Sequence, residues 1–161
     1  FGEAYRRDPS HVIPYSELDK LPYLERVILE TLRLKPPAPR LMPRIAKRDL
    51  KLGNLDIKED TVVWTVPYLS HRNPWQWEDP WKFNPDRKEF EDCNLKFVPF
   101  SAGKRSCIGQ FFAIMESKIA ITKLLLALDV ECDPEAEKNL IASITLKVTD
   151  ELPSTVKLRA Q

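Results

Sequence analysis

Apolar residues recur at helical spacing in two stretches of the chain and at strand spacing in several others. Between Leu21 and Leu34, residues Leu24, Val27, Ile28, Thr31 and Leu32 share one face and predict an amphipathic helix with that face as its core stripe. Lys35-Pro36-Pro37-Ala38-Pro39 ends it, since the residue before a proline avoids helical backbone and proline cannot continue a helix. Ahead of it, Ser16-Glu17-Leu18-Asp19 reads as a helix start with Ser16 as cap and an acid three residues on. From Arg40 to Val66 the pattern is that of short strands. Ile45–Leu50 and Leu52–Ile57 lie beside a Gly53-Asn54 turn signal, and Thr61–Val66 is β-branched and aromatic. Residues 67–99 carry tryptophan, phenylalanine and proline with no period, and so long an irregular stretch implies a functional or special packing reason. Ile108 to about Leu128 is apolar nearly all round, apart from Glu116, Lys118 and Lys123, which predicts a buried helix. The tail, 129–161, reads as short strands, chiefly Ile144–Val148 and Val156–Leu158.

Composition narrows the function. The 161 residues suffice for one core, with 43% hydrophobic and 30% charged residues in an ordinary globular balance. A net charge of +1 gives no field for nucleic acid, so no nucleic-acid partner is expected. Fourteen prolines against four glycines mean many pinned turns and few flexible joints. Three cysteines, at 93, 107 and 132, are an odd, widely spaced set that argues against a disulfide framework. There is no run of eighteen apolar residues, no leader-like N-terminus and no internal repeat. The start at Phe1-Gly2-Glu3 reads as the middle of something longer.

The candidate chemistry centres on Phe100-Ser101-Ala102-Gly103-Lys104-Arg105-Ser106-Cys107-Ile108-Gly109. Cys107 stands where a long apolar helix begins, and the unpaired N–H groups and positive dipole end there favour an anionic sulfur able to bind metal. The flanking glycines let backbone come close to a flat ligand. A zinc site fails on spacing: no cysteine pair is close enough, and only His11 and His71 are available. Read as Phe-x-x-Gly-x-Arg-x-Cys-x-Gly, the stretch resembles the heme-binding signature of the cytochrome P450 superfamily. Its five fixed positions match by chance on the order of 10⁻⁵ times in such a chain. The resemblance implies that Cys107 is the axial thiolate of a heme b, that Arg105 meets a propionate and that Phe100 packs beside the sulfur. It also implies that Gly103, Gly109 and Ala113 leave room for the porphyrin.

Glu30 and Arg33 form Glu-x-x-Arg on the first clear helix, and by spacing alone the pair reads as a solvated surface couple opposite the apolar stripe. Tyr23, Leu29 and Leu34 flank it, which argues that this face is covered too. In the superfamily this motif pairs with an arginine further on, here in Phe83-Asn84-Pro85-Asp86-Arg87. The resemblance therefore implies a structural network of Glu30, Arg33 and Arg87. The spaced His71, Pro74, Trp77, Pro80, Phe83, Pro85 and Arg87 keep step with the family, while Lys88 departs where an aromatic is usual and Phe90 stands two residues late. His71 is expected to be a hydrogen-bonded structural histidine. Arg44, with Arg40 as the other possibility, is the implied second propionate contact. Ala38, Pro39, Leu41, Met42 and Ile144 are the implied substrate-side residues.

The fold expected is α+β, mainly α, the C-terminal part of the cytochrome P450 fold, with residues 1–161 an incomplete domain. The activity implied is heme-thiolate monooxygenation of a small apolar substrate, the chain supplying the proximal half of the site and being inactive alone. Its partners would be the N-terminal part of the same protein and an electron-donor flavoprotein reductase or ferredoxin. Lys82, Lys88, Lys96, Lys104 and Lys118 offer a basic face for such a donor. A membrane-associated place on the cytosolic face of the endoplasmic reticulum is expected from resemblance alone. Two other readings stay open: a heme-thiolate hydroperoxide isomerase or dehydratase needing no reductase, and a non-catalytic fragment that keeps the fold.

Overall fold

A computed structural model describes residues 12–91, 94–132, 140–142, 145–148 and 154–159. The first helix, α1, is a single turn, Tyr15–Leu18. Ser16 lies inside it and caps nothing; the turn is closed instead by the Glu17 N–H donating to the Pro14 carbonyl at 3.0 Å. Helix α2 spans Pro22–Leu34, with proline at its first turn, where a missing N–H is harmless.

Its buried face is not the apolar stripe. Glu30, Arg33, Ile28 and Leu34 are buried, Leu24, Val27 and Leu32 are half-buried, and Thr31 is exposed. The reason is the 67–99 segment, which covers the Glu30–Arg33 side. At the helix end the guanidinium of Arg72 takes up the Leu34 carbonyl, and it lies between the rings of Tyr68 at 3.7 Å and Trp81 at 5.2 Å. A carbonyl without an intrahelical partner is thereby satisfied.

Among the described residues the strands form four separate two-stranded antiparallel ribbons. β1 (Arg44–Ile45) pairs with β4 (Val62–Val63), a much shorter strand than Thr61–Val66 suggested. β2 (Leu50–Leu52) and β3 (Leu55–Ile57) make a hairpin around Gly53-Asn54. Gly53 takes φ +58°, the left-handed value a II′-type turn needs at its first central residue. After helix α3 (Pro67–Ser70), the irregular segment organises around a buried Trp77. His71, Phe90 and Phe97 meet its ring edge-on at 5.7–6.4 Å. Phe90 thus supplies an aromatic that Lys88 does not.

Helix α4, Gln110–Ala127, packs on α2 and α1 and runs without a loop into β5 (Leu128–Cys132), which pairs with β8 (Ser154–Leu158). The remaining ribbon joins β6 (Leu140–Ala142) to β7 (Leu146–Val148). The burial expected of α4 is not found within the chain: Phe111, Phe112 and Leu124 are 64%, 65% and 52% exposed. Only Lys118 and Thr122 of this helix are buried, because α1 and α2 cover one side and no described element covers the other.

Candidate functional site

The site is built from a buried clasp and an exposed loop. In the clasp, Glu30 and Arg33 are wholly buried and Arg87 nearly so. Arg33 donates to both Glu30 oxygens, from Nε at 2.7 Å and Nη2 at 2.9 Å, in the bidentate geometry that suits a planar guanidinium. The Arg87 Nε and the Asn84 N–H each donate to Glu30 Oε1 at 2.9 Å. The remaining guanidinium donors reach backbone: Arg33 Nη1 to the carbonyls of His71 and Pro80 at 2.7 Å, and Arg87 to the carbonyls of Glu78, Asp79 and Lys82. Burying these charges is tolerable because every carboxylate oxygen and nearly every donor has a partner. The clasp fastens α2 to the irregular segment.

That segment leads straight into the cysteine loop. His71 is fully buried, and its Nε2 accepts the Val98 N–H at 3.0 Å. Burial, reinforced by the Arg33 charge, pushes the imidazole down to about 4, so it is neutral near pH 7. The Val98 carbonyl accepts the Ser101 N–H at 3.1 Å, and the Phe100 carbonyl accepts the Cys107 N–H at 2.8 Å. Gly103 turns the loop with φ +73°, a conformation that penalises any side chain. Gly109 caps α4 at φ −86°, and a Cβ there would stand in ordinary van der Waals contact with Cys107 Sγ, at 3.8 Å. The sulfur therefore lies beside the start of α4, and Cys107 is exposed.

Beside it is an apolar depression of about 270 Å³ lined by Leu32, Pro37, Ala38, Leu41, Pro99, Phe100, Ser101, Arg105 and Cys107. Of the expected residues, Phe100, Arg105, Ala38 and Leu41 thus come together with Cys107. Pro39 is buried and spends its carbonyl on the Tyr68 N–H at 3.1 Å, while Met42 is exposed and outside the lining. Arg44 lies in β1 and also outside the lining; Arg40 stacks over Trp64 at 4.8 Å. Among the described residues neither Arg44 nor Arg105 has an ion-pair partner. Ala113 is half-buried on α4, and Gly103 is exposed. Ile144 lies outside the described residues; Leu146 donates its N–H to the Pro37 carbonyl at 2.8 Å. Leu32 was missed as a lining residue; its place in the apolar stripe was the available signal. No group of histidine, cysteine and acidic residues arranged for a metal ion occurs among the described residues.

A cysteine is displayed at a helix start against an apolar recess, and a buried carboxylate–diarginine clasp fastens the segment that leads into its loop; the cofactor of a heme-thiolate protein is a group to test against them. The residues fit such a cofactor: a soft, exposed sulfur, apolar walls for a flat ring and a free arginine for a carboxylate at its edge. Residues 4–157 match the Cytochrome P450 family model, and the chain belongs to that family, whose cofactor is heme iron. It is 34% identical to isoflavone 3'-hydroxylase of Medicago truncatula, over 92% of this chain and 29% of that protein. It is 39% identical to probable cytochrome P450 4d20 of Drosophila melanogaster, over 73% of this chain and 24% of that one. A cytochrome P450 crystal structure, CYP102L1, superposes with a TM-score of 0.81 at 30% identity, covering 96% of this chain and 36% of that one. The chain thus spans under a third of the length of these two curated relatives.

Proposed function

We propose that the chain carries the thiolate side of a heme-thiolate monooxygenase acting on a small apolar organic substrate. The observation that carries this is Cys107, exposed at the start of α4 against the recess formed by Leu32, Ala38, Leu41 and Phe100. When bound, the heme supplies activation of dioxygen and insertion of one oxygen atom. The protein's own contribution is positional. Cys107 offers its sulfur as the iron ligand, Phe100 lines the recess beside it, and Arg105, with Arg44, offers donors to the heme carboxylates. Ala38 and Leu41 face the substrate side. The named relatives favour this over a peroxide rearrangement, since they include a hydroxylase and, in Prunus mume, phenylacetaldehyde oxime monooxygenase.

Residues 1–161 alone then form an incomplete, inactive domain that needs the rest of the polypeptide to cover α4 and the recess. Lys82, Lys88 and Lys104 are exposed and suit an acidic electron donor, a flavoprotein reductase or ferredoxin; Lys118 drops out of that face, being buried and paired with Glu25 at 2.8 Å. The resemblance supports a location on the cytosolic face of the endoplasmic reticulum; no helix among the described residues is long and apolar enough to cross a membrane. The test is the spectrum of the reduced, carbon-monoxide-bound full-length protein. A red-shifted Soret band, lost in Cys107→Ser, is expected. A band that survives the serine substitution would sink the assignment.

A further inference from the structure

We propose that His71 is a positioning residue for the cysteine loop, its Nε2 holding the Val98 N–H so that the segment from Phe97 to Ser101 keeps Phe100 beside Cys107. The inference rests on the reading of Cys107 as the iron ligand and extends it to a residue remote from the sulfur. Its basis is a continuous run of bonds. Arg33, locked on Glu30, donates to the His71 carbonyl at 2.7 Å; the His71 ring accepts from Val98 at 3.0 Å. The Val98 carbonyl accepts from Ser101, and the Phe100 carbonyl accepts from Cys107. From Arg33 onward every link but the ring is backbone or a permanently charged guanidinium. Along that run His71 is the one link whose hydrogen-bonding sense a proton can reverse.

The ring is fully buried, so its orientation is fixed by packing: Phe97 lies 5.1 Å away and Trp77 6.4 Å, centroid to centroid. As an acceptor at Nε2 it must be the neutral tautomer protonated at Nδ1. A second proton would set two donors, Nε2–H and the Val98 N–H, face to face. The charges that face the ring are both positive, Arg33 from α2 and the neighbouring Arg72, and the packed faces of Trp77 and Phe97 bring none. The surroundings therefore favour the acceptor form, in keeping with the depressed imidazole value of about 4.

The test compares full-length heme-loaded wild type, His71→Gln and His71→Phe. Glutamine keeps an acceptor that does not titrate, and phenylalanine keeps the bulk without one. Amide exchange at Val98, corrected for intrinsic rate and referred to α4 amides, should accelerate about tenfold in His71→Phe and change little in His71→Gln. On acidification through about pH 4, where the folded ring takes its second proton, wild type should lose Val98 protection and the thiolate-type Soret band together, and His71→Gln should retain both to lower pH. If phenylalanine prevents folding, the glutamine variant decides alone. Equal acid midpoints for wild type and His71→Gln, or unchanged Val98 exchange in a folded His71→Phe, would overturn the proposal. A wild-type protein with no thiolate-type band at neutral pH would instead overturn the ligand reading; Val98 exchange would still judge His71.

Discussion

The two most recognisable motifs in the sequence have opposite physical fates. Around Glu30 every charge is buried and partnered inside the chain. Around Cys107 the sulfur, Arg105 and the aromatic side chains of α4 are open to solvent. The first motif spends its chemistry on shape and is complete. The second holds its chemistry in reserve, since a thiol and an arginine that were already satisfied could not bind anything else. Stability in this molecule should therefore track the clasp, and ligand binding the loop.

Glu30→Gln is the most direct way to break that division. It leaves two buried guanidinium groups without a counter-charge, and unfolding titrations should show a loss of about 3–5 kcal/mol. Acid should act next most strongly, through His71. Its folded value of about 4 lies below the unfolded 6.5, so above pH 6.5 both states are neutral and nothing is gained or lost. Between 6.5 and 4 only the unfolded chain takes the proton, and stability should fall with pH by about 3 kcal/mol before levelling off. His71→Gln should flatten that slope in denaturant midpoints measured across the range. Gly103→Ala should cost about 1 kcal/mol through its left-handed backbone alone, because an added Cβ meets nothing within 4 Å. Lys118→Met should shift stability by less than about 1 kcal/mol in thermal melts, since its partner Glu25 is half exposed and loses little. Smallest of all, Arg105→Ala should leave unfolding unchanged within about 0.5 kcal/mol. A large stability loss there would blur the division between the two regions.

Much of this was legible in the residues. The limits of α2 followed from Leu21 and the proline stop, and α4 from its uninterrupted apolar run, because local backbone preferences are written locally. The buried partner of Glu30 was legible through the Phe83–Arg87 motif; spacing alone read the pair as a solvated couple, and only the flanking Tyr23, Leu29 and Leu34 argued that its face is covered. What failed has a common cause. Spacing reports which residues are apolar and not what lies against them, so Thr31 was expected inside and the flank of α4 bearing Phe112 was expected covered. Ser16 was an apt cap by type, yet the carbonyl of Pro14 closed the turn first. The contact of His71 with Val98 carries no pattern at all, since a backbone N–H looks the same at every position.

The clasp grips its loop in a manner that has a bearing on how such chains diverge. Arg33 and Arg87 hold the path from His71 to Lys82 by main-chain carbonyls, at His71, Glu78, Asp79, Pro80 and Lys82, and never by a side chain of those residues. Carbonyl oxygens are common to all amino acids. The outward side chains of Glu78 and Lys82 can therefore drift in identity and charge while the course of the loop stays put, whereas Asp79, at φ +41°, is held to the few residues that tolerate left-handed backbone.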